Sequence, residues 1–125
     1  MASIDTLTAA RIAAGVRAGE FSAREVAEAS LDAIEARDGA VQAFLQVVPE
    51  LALEAADRID AARAAGEGLP PLAGVPFAIK DNMNLVGTRT TCASRMLADY
   101  ESVYTATCVQ RMLDAGCLPV GKANM

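Results

Sequence analysis

The sequence contains no histidine, so a base acting near neutral pH must be a carboxylate or a lysine of altered solvation. Lysine itself is scarce: of eleven basic residues, only Lys80 and Lys122 are lysines. Aromatic residues are few and alanines many, a composition that favours helices. Cys92, Cys108 and Cys117 show no C-x-x-C spacing, and without histidine no zinc site is expected. An odd number of cysteines fits reduced thiols in a cytosolic compartment. All three are expected to be small, partly buried side chains, with Cys92, in a Thr-rich turn, the one candidate nucleophile. No apolar run is long enough to span a bilayer. The N-terminal stretch Met1-Ala2-Ser3-Ile4-Asp5-Thr6 lacks a basic region followed by an apolar core, so no signal peptide is expected. The expected location is the cytoplasm.

At 125 residues the chain fits one domain or part of one. Residues 1–67 carry twelve acidic and six basic side chains, whereas residues 68–125 carry four and five. An acidic N-terminal half argues against direct contact with a nucleic-acid backbone or an anionic membrane. That half reads as helical. A short helix is expected from about Thr8 to Arg17, stopping near Gly19. Ser22-Ala23-Arg24-Glu25 forms a capping box for a second helix, with Ala23, Val26, Ala27, Leu31 and Ile34 on its apolar face and Asp38-Gly39 as its stop. Residues 41–48 have strand propensity and the character of an edge. A long helix is expected from Pro49 to about Ala65, followed by the loop Gly66-Glu67-Gly68-Leu69-Pro70-Pro71.

After Pro71 the pattern changes. Val75 to Ile79 is apolar without alternation, as for a strand buried on both faces. Asp81 to Ser94 is a polar loop. A helix is expected from Thr105, its N-cap, to Ala115, with Val109, Met112 and Leu113 inward. Gly116 precedes a second strand, 117–121. Strand, helix and strand together predict a right-handed βαβ unit with a parallel sheet. The fold class is therefore α/β, with N-terminal helices leading into the start of a mixed, largely parallel sheet. Two parallel strands make no self-sufficient core, so the chain reads as an incomplete domain.

Lys80 is the principal candidate site residue. By position alone, a lysine at a strand end is ordinarily a solvated surface group. Held at the mouth of an apolar strand, its ammonium can lose solvation, which lowers its pKa and suits it to accept protons. Lys122 follows the second strand in a similar setting and is read as supporting a loop. Ser94 is read as a capping residue and the Thr88–Thr91 run as satisfying buried backbone groups. The βαβ unit carries no G-x-G-x-x-G or P-loop pattern.

The segment Pro71-Leu72-Ala73-Gly74-Val75-Pro76-Phe77-Ala78-Ile79-Lys80-Asp81-Asn82 resembles the amidase-signature family. Gly87-Thr88-Arg89-Thr90-Thr91-Cys92-Ala93-Ser94 is similar to the corresponding loop of that family's glutamyl-tRNA(Gln) amidotransferase branch. The segment from Tyr104-Thr105-Ala106-Thr107 to Val120-Gly121-Lys122-Ala123-Asn124-Met125 looks like the helix and strand before its serine-rich core. The resemblance covers nearly the whole chain and implies that residues 1–125 are the N-terminal part of one amidase-signature domain, with residues 1–67 an acidic helical segment and 68–125 the first core βαβ. It also implies a catalytic set of a nucleophilic serine, a second serine in a cis peptide, and a lysine base, of which Lys80 alone maps onto this sequence. Both serines would lie beyond Met125, so the chain alone is expected to be inactive.

The activity implied for the longer protein is glutamine hydrolysis that supplies ammonia for converting Glu-tRNA(Gln) to Gln-tRNA(Gln). Implied partners are amidotransferase subunits B and C in a heterotrimer, with glutamine as substrate and Glu-tRNA(Gln) held mainly by a partner. The complex would use ATP and Mg²⁺, with no cofactor or metal on this chain. A general amidase of the same family and a truncated, non-catalytic remnant are the alternatives.

Overall fold

The computed structural model describes residues 4–125, the Asp5 side chain excepted. Met1–Ser3, part of the stretch read for a leader, lie outside the described residues. In chain order the elements are α1 (Ala9–Ala18), α2 (Ala23–Val41), β1 (Phe44–Val47), α3 (Pro49–Ala64), β2 (Pro76–Lys80), α4 (Thr107–Asp114) and β3 (Leu118–Ala123). Short 3₁₀ turns occupy Ile4–Thr6 and Arg95–Leu97. The strands form one sheet in the order β1-β3-β2, with β1 antiparallel and β2 parallel to the central β3. This is the mixed α/β architecture expected. No helix among the described residues is long and apolar enough to cross a membrane.

The helices assemble because their ends are satisfied as well as their faces. Ser22 and Glu25 complete the capping box of α2, and the Asp60 carboxylate of α3 accepts from the amides of Ala23 (2.9 Å) and Arg24 (3.0 Å). A carboxylate at a helix N-terminus satisfies orphan donors and meets the positive end of the dipole. Thr8 caps α1, and Gly19 ends it at φ 74°. The Arg63 guanidinium donates to the carbonyls of Val16 (3.0 Å) and Phe21 (3.1 Å) beyond it. Small side chains let these helices approach closely: Ala23 and Ala27 of α2 and Ala55 and Ala56 of α3 share a core with Ile12, Val16, Val75, Cys117 and Leu118. A second cluster on the sheet joins Ile79, Leu85 and Val109, flanked by Leu51, Met83 and Leu113.

Several boundaries differ from the sequence reading. Helix α2 passes through Asp38-Gly39 and ends at Val41, with Gln42 left-handed at φ 56°. The stop is delayed because the Asp38 carboxylate accepts from the amides of Ala43 (2.7 Å) and Phe44 (3.3 Å), after the helix. The first strand shortens accordingly. Helix α4 begins at Thr107, and the Thr105 hydroxyl accepts instead from the Val86 amide at 3.2 Å. Within α4, Val109 is buried but Met112 is exposed. Strand β2 is not buried on both faces: Ala78 and Lys80 are exposed, because β2 lies at an edge of the sheet. Full burial belongs to β3, from Leu118 to Lys122. Its Pro119 is accommodated by a register shift between Phe77 and Ala78 of β2, a bulge of the kind that tolerates proline.

Gly116 adopts φ 93°, and a Cβ there would lie 2.7 Å from Pro70 Cγ and 2.9 Å from Ala73 Cα. Gly39, inside α2, has open space around it. Gly116→Ala is therefore expected to destabilise by at least about 2 kcal/mol through strain and clash. Gly39→Ala should stabilise by roughly 0.5–1 kcal/mol through helix propensity. Urea-unfolding midpoints of the two variants check the pair.

Candidate functional site

Strands β2 and β3 run parallel, and each delivers a lysine at its C-terminal end. In register, Lys80 pairs with Ala123 and Ile79 with Lys122. Parallel partners share a face, and successive residues alternate, so the two lysines leave the sheet on opposite sides. Their surroundings differ accordingly. Lys80 is exposed, and among the described residues its amine makes no hydrogen bond or ion pair. Lys122 is fully buried.

The Lys122 ammonium uses all three donors. It lies 3.0 Å from Asp81 Oδ1, 2.7 Å from the Arg89 carbonyl and 2.9 Å from Thr90 Oγ1. Asp81, 1% exposed, completes its own set: Oδ2 accepts from the Thr91 amide (3.1 Å) and the Thr91 hydroxyl. Its backbone is pinned as well, the amide donating to the Ala123 carbonyl and the carbonyl accepting from Cys92, both at 2.9 Å. Burial pushes the Asp81 carboxyl up, but the hydrogen bonds from Thr91 and Lys122 and the Lys122 charge together hold it below the ordinary carboxylate range. The residue next to Lys80 is thus an anchored anion.

The loop after Asp81 is built on that anchor. The Thr88 hydroxyl donates to the Leu85 carbonyl (2.7 Å), and the Thr90 and Ser102 hydroxyls meet at 2.7 Å. Thr90 also donates its amide to Tyr100, and Ser102 donates to Thr88. Cys92 and Ala93 both lie in the left-handed region, at φ 52° and 55°, which costs non-glycine residues about 1–2 kcal/mol each. The Cys92 amide bond to Asp81 and an Ala93 amide bond to Thr91 Oγ1 (3.1 Å) hold that conformation. Ser94 caps the following 3₁₀ turn through the Met96 amide.

The readings of Lys122, Ser94 and the threonine run as loop-supporting thus agree with the structure. The cysteine reading does not. Cys92 and Cys108 are exposed, one in the loop after Asp81 and the other in the first turn of α4, its Sγ 3.5 Å from Met83 Sδ. Only Cys117 is buried, which raises its thiol pKa. Sequence reasoning missed Asp81 as a partner. The available signal was that a buried lysine needs a counter-charge, and Asp81 is the sole acidic residue between Glu67 and Asp99.

A concavity of about 340 Å³ is mostly apolar, with Ile12, Ile34, Phe44, Phe77 and Ala78 among its lining residues. Lys80 does not line it. Among the described residues, no three Cys, Asp or Glu side chains converge as a metal site.

The family model described as Amidase matches residues 25–125. The A subunit of glutamyl-tRNA(Gln) amidotransferase from Moorella thermoacetica is 52% identical over 119 residues, 95% of this chain and 24% of that protein. A bacterial aryl acylamidase of the amidase-signature enzymes superposes with a TM-score of 0.90 at 30% identity, covering 94% of this chain and 25% of that one. The Thermotoga maritima glutamyl-tRNA(Gln) amidotransferase A subunit gives a TM-score of 0.72 at 33% identity, covering 98% and 24%. The chain thus spans about a quarter of the length of the relatives it matches.

Removing Lys122 alone strands the Asp81 charge, so Lys122→Met is expected to destabilise by about 3–5 kcal/mol, and Asp81→Asn with Lys122→Met by clearly less. The Asp81 pKa is depressed on folding, so its contribution is complete above about pH 4, the ordinary carboxylate value, and fades as pH falls through the lower folded value. Urea titrations of wild type and the double variant between pH 7 and pH 2 read this: their stability difference should narrow on acidification.

Proposed function

The chain belongs to the amidase-signature family, and from that premise we propose that it forms the base-bearing first part of one amidase domain, with Lys80 as general base. The observation that carries this is the contrast between the two lysines. Lys122 is buried with every donor engaged, whereas Lys80 leaves the same sheet exposed, beside a pinned backbone. Only Lys80 is available to take a proton from another group.

In the mechanism the family implies, the neutral Lys80 amine draws a proton through a bridging serine from a nucleophilic serine. That serine's oxygen then attacks the amide carbon. The carbon–nitrogen bond breaks, the proton passes to the leaving nitrogen, and ammonia departs. Water next attacks the acyl ester; Lys80 again takes the proton and passes it to the departing serine oxygen, which releases the acid and restores both groups. Neither serine is assigned to a residue of this chain, so the 125 residues alone are proposed not to turn over.

For the longer protein we favour the amidotransferase role. Glutamine would be the amide donor, and the ammonia would go to a partner that amidates Glu-tRNA(Gln), with subunits B and C completing the complex in the cytoplasm. Identity of 52% to the Moorella thermoacetica protein, against 30% to the acylamidase, supports this. The higher TM-score of the acylamidase favours a general amidase as the second reading. The complex would use ATP and Mg²⁺, with those contacts belonging mainly to the amidating partner.

Replacing the matching first quarter of the Moorella thermoacetica protein with this chain gives a testable hybrid. Lys80→Ala in the hybrid is expected to lower glutaminase kcat by about 10²–10⁴-fold, the span of a general base. Unchanged ammonia release would refute the role of Lys80. Faster release from aryl or peptide amides than from glutamine would favour the second reading.

A further inference from the structure

We propose that Lys122 and Asp81 are positioning residues for Lys80: their buried pair draws the carboxylate beside the base to the opposite face of the sheet and fixes the turn from which Lys80 projects. The inference rests on Lys80 being the base. The geometry supporting it is local and complete. Lys80 is the last residue of β2, and its neighbour Asp81 is held at five points: by Lys122 on one carboxylate oxygen, by two Thr91 donors on the other, and by Ala123 and Cys92 on its backbone. Lys122 is itself fixed on the adjacent central strand and tied to Arg89 and Thr90.

Two consequences follow for Lys80. Its backbone cannot swing, because the next peptide is hydrogen-bonded on both sides. Its amine also has no carboxylate from its own turn to pair with, since Asp81 is spent on Lys122. A general base needs both features: a fixed origin for its side chain and an amine not locked into an ion pair. A pair serving stability alone would be replaceable by a neutral, well-packed pair without effect on Lys80.

The two-lysine composition supplies a direct probe. Reductive methylation with ¹³C-formaldehyde of the 125-residue chain, its folding first established by circular dichroism, labels the N-terminal amine and the exposed Lys80, whereas buried Lys122 is protected. The Lys80 dimethyl resonance is the one missing from Lys80→Arg. In wild type it should be a single sharp line. In Asp81→Asn with Lys122→Met, folded by circular dichroism, it should shift by more than its linewidth or split. Thr91→Val removes one donor to Asp81 without stranding a charge, and should move the line in the same direction by less. It serves as the reading if the double variant does not fold. A resonance overlaying wild type in a folded variant would overturn the proposal. The signal does not depend on catalysis, so failure here is distinct from failure of the Lys80→Ala hybrid.

Discussion

The contact on which the rest of the site depends is the ion pair between Lys122 and Asp81. Taking two charges out of water costs several kcal/mol per ion, and their attraction repays it only when the remaining donors and acceptors are also satisfied. Here they are: the ammonium has three partners and the carboxylate three. That requirement dictates the neighbourhood. Arg89 must turn its carbonyl inward, Thr90 and Thr91 must present hydroxyls, and Cys92 and Ala93 must accept left-handed backbone so that the loop can close. A polar cluster of this kind specifies one arrangement, since a partly satisfied version is worse than none.

The helical half contributes differently. Its side chains are small and its helix ends are capped by residues distant in sequence, Asp60 and Arg63 of α3 serving α2 and α1. This fixes Val75 and Leu118, the entrances to the two parallel strands, within a single core. The strands therefore present their far ends, and with them the two lysines, from a constrained start.

Much of this was legible in the sequence where local chemistry decides. The Ser22–Glu25 capping box, the Gly19 stop, the Pro49 start and the parallel pairing of the two apolar strands, read at 75–79 and 117–121, all rest on short-range signals or a clear apolar run. Boundaries failed where a side chain acted at a distance. Asp38 serves the chain after the helix, not a stop within it, and Thr105 serves Val86, not α4. Burial of β2 was overestimated because periodicity reports apolarity and not a strand's place in the sheet. Lys80 was singled out through family resemblance. The role of Asp81 was not, because its partner sits on another strand and no pattern within either segment announces it.

The long chain separation within the pair has a consequence for biosynthesis. Asp81 leaves the ribosome 41 residues ahead of Lys122, an interval of roughly 2–8 s at ordinary elongation rates. Through that interval the carboxylate has no counter-charge and stays hydrated, so the turn bearing Lys80 remains open while the preceding helices can already pack. Emergence of β3 then supplies the counter-charge that closes it. The turn bearing Lys80 thus consolidates only once both parallel strands are available.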